Sequence, residues 1–272
     1  MAPSLQNVTR FCFGASYAVA LLLELVQLVR PRPAVRVAAL GFGAAGLLAH
    51  SLFLIFQHPS VAAPYGSLLL LAWVVAVFYL YGALHHRRLA WGVFVLPIVL
   101  ILIGLTEAFP KTGTDEARRW FTGENFWGAV HGGLVVLALV GVCVGCAASV
   151  MYLVQARRLK SKTAPGQGVR LLSLERLATM NRRAITWAFP LLTAGLLVGV
   201  IRLAQYEGPS LGWSSPRVLS TMGLWLVFLA LLYLRYFAHA SNRRLAVLTI
   251  AVFGLMLATL ATAHPVVTEG SP

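Results

Sequence analysis

Three histidines carry the most chemistry in this chain. His50 and His131 lie within long apolar runs, and His264 lies at the end of another. Ionisable groups inside a membrane span are costly and tend to mark function, so each needs a partner or a role. A neutral imidazole is satisfied by a backbone carbonyl, and it also serves as an axial ligand for heme iron. His131 begins a span and is followed by Gly132 and Gly133, which remove side-chain bulk and let a flat ligand or a neighbouring helix come close. His131 and His264 fall at matching depth on different spans, an arrangement that suits clamping a planar metal porphyrin from both faces. It equally suits two separate helix-packing hydrogen bonds.

Other reactive types have simpler readings. His85 and His86 adjoin Arg87 and Arg88 and read as interfacial flank, His58 precedes Pro59 in a turn, and His239 closes a span. Cys143 and Cys146 share one helix face, but their Gly/Ala/Ser-rich surroundings mark close helix packing, where thiolate chemistry is suppressed. Glu24 is the one acid well inside a span, and it keeps a transporter reading open. No residue implies covalent catalysis, so the expectation is a binding protein and not an enzyme.

The elements that position these groups are membrane helices. The chain has 272 residues, 59% hydrophobic and only 11% charged, with mean hydropathy +0.79. A soluble domain carries about 25% charged residues. Blocks of about 20 apolar residues suffice to cross about 30 Å of hydrocarbon. The breaks predict eight spans near 11–29, 37–56, 66–84, 89–108, 127–154, 184–205, 217–238 and 245–263, forming an all-α polytopic bundle over a single domain, 1–272.

The net charge of +14 is a topology signal. Sixteen of the 22 basic residues fall in the odd-numbered connections, whereas six of the eight acids lie on the opposite side. Basic flanks mark the cytoplasmic side, which places both termini outside and argues against nucleic acid as a partner. The first apolar block lacks a basic leader and ends in Arg30-Pro-Arg-Pro, so it reads as a retained helix and not a cleaved signal. The external connection around 109–126 carries Trp120, Phe121, Phe126 and Trp127, which read as headgroup anchors or as a ligand-facing lid. In the cytoplasmic connection, Leu171, Leu174, Leu177 and Ala178 recur at helical spacing. They predict a short amphipathic helix, lying on the inner membrane surface or packing the ends of the bundle.

Several segments together resemble the cytochrome c assembly membrane family, the CcsA/CcmC/HemX type of heme-handling protein. They are Ala49-His50 with Gly66–Trp73, then Trp127 with His131 and Tyr152-Leu153, then Leu172–Asn181 followed by Phe189–Gly199. The resemblance implies a helix bundle holding heme b between histidines near the external surface, working with membrane lipids and cytochrome c assembly partner proteins in a bacterial cytoplasmic (inner) membrane. It implies His131 and His264 as iron ligands, His50 as an in-membrane histidine, and His239 as a substitute for a second one whose position holds Arg235. Trp213, Trp127 and Trp120 would supply flat contact, and Arg217 or Arg202 would pair with propionates. The sequence departs from the family at Ser214 and Ser215, which stand where a W-x-W-D signature has Trp and Asp. That departure draws it toward the HemX-like branch and leaves a heme-free scaffold or regulator of tetrapyrrole biosynthesis as the alternative.

Overall fold

In the computed structural model, described for residues 9–59, 64–85, 90–109, 123–161, 171–205 and 216–262, eight α-helices follow one another along the chain. They are α1 (Arg10–Val29), α2 (Pro33–Gln57), α3 (Pro64–His85), α4 (Gly92–Leu105), α5 (Gly123–Lys160), α6 (Leu174–Gln205), α7 (Pro216–Tyr236) and α8 (Asn242–Thr262). Long apolar runs take this form because lipid offers no partner for backbone N–H and C=O groups, and a helix satisfies them within the segment.

Among the described residues, seven helices are long and apolar enough to cross a membrane. The exception is α4, whose 14 residues are prolonged by a 3-10 turn, Thr106–Ala108. It still runs most of the height of the bundle. Gly92, at its start, lies against the Glu24 carboxylate near the end of α1. At its far end, Thr106 accepts a bond from Arg10 at 3.4 Å, at the start of α1. Arg10 and Glu24 are separated by about 21 Å of helix, so α4 lies antiparallel to α1 over that length.

The bundle forms two packing groups. In the first, α1 packs on α2 and α4, and α3 packs on α2 and α4; in the second, α5 packs on α6 and α8, and α7 on α8. The α5–α6 pair is the most extensive, and α5 joins the groups through α3 and α4. At the outer end of the first group, Arg10 pairs with Glu107 at 3.1 Å and lies over the Tyr65 ring, tying α1 to α3 and α4. Large apolar side chains such as Phe11, Leu22, Leu48 and Leu197 are exposed on the outside, as a lipid-facing surface requires.

One expected element changes character. The amphipathic segment 171–183 is not a separate helix on the membrane surface, because α6 runs unbroken from Leu174 to Gln205. Leu177 and Asn181, one turn apart, are buried in the bundle, while Glu175, Arg176, Arg182 and Arg183 face outward. The apolar stripe therefore packs the end of the bundle.

Candidate functional site

His131 lies two turns into α5, where the helix meets α6. Its Nδ1 is 2.7 Å from the Gly195 carbonyl oxygen. A carbonyl can only accept, so Nδ1 carries the proton and Nε2 presents its lone pair. The seat is cut to the ring: a Cβ on Gly199 would fall 2.9 Å from the His131 Cε1 and 3.1 Å from Nδ1. Carbonyl and glycine together hold the imidazole in one tautomer and one orientation, as a hydrogen bond to the far ring nitrogen does for a histidine that ligates a metal. His131 is partly exposed, and no described residue bonds its Nε2.

Trp225 of α7 donates its indole N–H to the Thr193 hydroxyl at 3.0 Å and stacks on Phe189 at 5.8 Å. Thr193 in turn donates to the Phe189 carbonyl, and Pro190 interrupts the hydrogen-bond ladder of α6 at this level. Phe126 and Trp127, at the start of α5, stand edge to face and are about half exposed, as interfacial anchors are.

His50 is held differently. It is fully buried, stacked face to face on Phe13 at 4.2 Å and met edge-on by Tyr17. Neither ring nitrogen has a hydrogen-bond partner, and the Tyr17 hydroxyl has none either. Because α2 packs on α1 and α3 while His131 lies between α5 and α6, the two histidines belong to separate packing groups. His239 does not join them: it is exposed in the α7–α8 turn, with φ of 48°. That turn is at the end of the bundle opposite His131, about 20 Å beyond the Trp225 level. His264 and Trp213 lie outside the described residues, as does the side chain of Arg217.

The sequence reading missed a polar cluster at the basic end. Asn181 of α6 donates to the Gly145 carbonyl at 3.1 Å, the Ser149 hydroxyl at 2.7 Å and the Thr249 hydroxyl at 3.1 Å. Its carbonyl oxygen accepts a bond from the Arg235 guanidinium. One amide thus joins α5, α6, α7 and α8. The space beside it, about 10 Å³ between Ser149, Asn181 and Arg235, is on the scale of one water. Asn181 sits one turn beyond Leu177 on the same stripe, and a lone amide inside an apolar stripe was the available signal. In the first group, the Tyr79 hydroxyl donates to Glu24 at 3.5 Å, and Arg36 donates to the Ala83 carbonyl. Cys143 and Cys146 are buried and unlinked in the α5 core.

The described residues thus define a polytopic helical membrane protein with a tautomer-locked histidine at one end of its second helix group. A model of the family described as cytochrome C assembly protein matches residues 61–263, and the chain belongs to that family. It is similar to the cytochrome c biogenesis protein CcsA of Guillardia theta, 24% identical over 200 residues covering 68% of this chain and 66% of that protein. It resembles the protein of the same name from Prochlorococcus marinus (strain MIT 9313), 24% identical over 223 residues covering 71% of this chain and 69% of that protein. The aligned regions span about two thirds of these relatives' length. No solved structure matches the chain.

Proposed function

We propose that this protein handles heme during cytochrome c assembly, with His131 as an axial ligand and no catalytic step of its own. The observation that carries the reading is the His131 seat. Nδ1 is committed to the Gly195 carbonyl, and Nε2 keeps its lone pair at the end of the bundle where external delivery would occur. His131 and His264 would hold heme b, Trp213 would give it flat contact, and Arg217 would pair with its propionates. Heme, when bound, would supply an iron centre for which His131 and His264 are the residues that would hold it. The chain's own part is to hold His131 in the ligating tautomer and to keep the α5–α6 contact closed behind it. His50, sealed between Phe13 and Tyr17, presents no accessible nitrogen and has no part in external delivery. The relatives' name, cytochrome c biogenesis protein, supports the pathway. The reading places the basic end inside a cytoplasmic-type membrane, working beside assembly partners and lipids.

A second reading, a HemX-like scaffold or regulator of tetrapyrrole biosynthesis without heme, is favoured by Ser214 and Ser215 in the external signature. The visible spectrum of the detergent-purified protein separates the two. A Soret band with sharp α and β bands on reduction, lost in His131→Ala and in His264→Ala, is the expected result. A protein that stays colourless after heme supplementation refutes heme handling and leaves the scaffold.

A further inference from the structure

Between α5 and α6, on the outer surface of the second group, runs a groove of about 700 Å³. Its floor is the closest approach of the two helices. A Cβ on Gly141 would fall 2.7 Å from that of Ala188 and 2.9 Å from the Ala184 carbonyl oxygen, so no side chain can fill the channel there. Leu137, Val140 and Val144 of α5 form one wall, and Met180, Trp187 and Leu191 of α6 line the other side. Trp187 is 71% exposed.

The groove is two-toned. From Ala184 to Leu191, about 11 Å along α6, its lining is apolar. That fits within the ~15 Å hydrocarbon depth of a single leaflet. Below that level the lining turns polar and basic, with Arg176, Thr179 and Arg183. Arg176 and Arg183 lie on one face, two turns apart, and neither makes an ion pair among the described residues, although Glu175 also lines the groove. The Trp187 indole, one turn from Arg183 in the part of the apolar zone nearer the basic end, suits the region just below the headgroups.

We propose that this groove is a binding site for a phospholipid with an anionic headgroup, in the leaflet at the basic end of the bundle. An acyl chain lies along Leu137, Val140, Val144 and Leu191, and the phosphate sits between the Arg176 and Arg183 guanidiniums. Trp187 borders the glycerol region. The charge decides the occupant: a partner helix would fill the apolar half but leave two unpaired guanidiniums, whereas a lipid phosphate suits both zones. The site is independent of heme binding at His131, on the same helix pair but toward the opposite end.

The test is native mass spectrometry of the full chain, delipidated and then titrated with phosphatidylglycerol or phosphatidylcholine. A basic residue facing an anionic lipid contributes about fivefold in affinity, so Arg176→Gln/Arg183→Gln should weaken phosphatidylglycerol retention by about 25-fold. Arg243→Gln/Arg244→Gln, at the same end but outside the groove, should leave it within about twofold. Val144→Trp, which blocks the apolar half and leaves both arginines, should also abolish retention, and inorganic phosphate should not compete. The groove is not a lipid site if the two headgroups bind equally, if the Arg243/Arg244 variant loses as much as the groove variant, or if inorganic phosphate displaces the lipid. Thermal melting of each variant in detergent identifies any that fails to fold. If the arginine pair does so, Val144→Trp decides the question, with undiminished retention refuting the site.

Discussion

Truncating Asn181 to alanine removes the one amide that touches all four helices of the second group. The three donor contacts of its NH2 share two protons, so the loss is about two hydrogen bonds to α5 and α8, plus the one accepted from Arg235. Interhelical hydrogen bonds in membrane proteins average about 0.6 kcal/mol, which gives roughly 2 kcal/mol for three. Arg235 then loses its acceptor, and a buried donor left unmade costs a further 1–3 kcal/mol, roughly. The Nε of Arg235 already lacks a partner, so the guanidinium has little to fall back on beyond a water in the adjacent space. The expected destabilisation is about 3–5 kcal/mol.

Arg235→Leu should cost less, about 1 kcal/mol, because it removes the charge along with its demand for a partner. The double variant should therefore be more stable than the sum of the single losses predicts, with a coupling of about 1–2 kcal/mol. Asn181→Asp should fall between, since its carboxylate pairs with Arg235 but can no longer donate to Gly145, Ser149 and Thr249. The assay is reversible unfolding by SDS in mixed micelles, followed by tryptophan fluorescence. An Asn181→Ala protein within about 0.5 kcal/mol of wild type, or a strictly additive cycle, would refute the reasoning.

Gly199→Val should push the His131 ring out of its seat and abolish the heme bands while the melting temperature changes little; unchanged spectra would count against the seat as the ligand-positioning device. Gly82→Ala would put a Cβ 2.1 Å from the indole Nε1 of the buried Trp91, an overpacking cost of about 2–3 kcal/mol that thermal melting should register. Glu107→Gln should cost less than about 1 kcal/mol in the same assay, because Glu107 is 64% exposed and its pair with Arg10 is solvent-screened. A periplasmic-type reporter fused after Pro272 should be active, and activity only from a cytoplasmic reporter would overturn the orientation drawn from the basic flanks.

Much of the architecture was legible in the order of residues. Lipid imposes a minimum apolar length and forbids open backbone, so each span announces itself locally, and all eight expected spans coincide with helices. The error at α6, placed from 184 and observed from Leu174, arose where the helix carries charged residues on its outward face. Hydropathy falls there although the backbone continues. His131 was visible as a candidate because an ionisable group in an apolar run is conspicuous, and the neighbouring glycines hinted at a close approach.

What the residues could not disclose were the partners across helices. Nothing in the order of residues says that the Gly195 carbonyl meets His131, that Phe13 and Tyr17 seal His50, or that Asn181 reaches three other helices. An imidazole has the same composition whether it is locked in a ligating tautomer or sealed in a core. Span length and charge bias are properties of a segment in its solvent, and the sequence by itself determined them. The state of each buried polar group depends on which neighbour lies within about 3 Å, and only the packing of helices distant in sequence decided that.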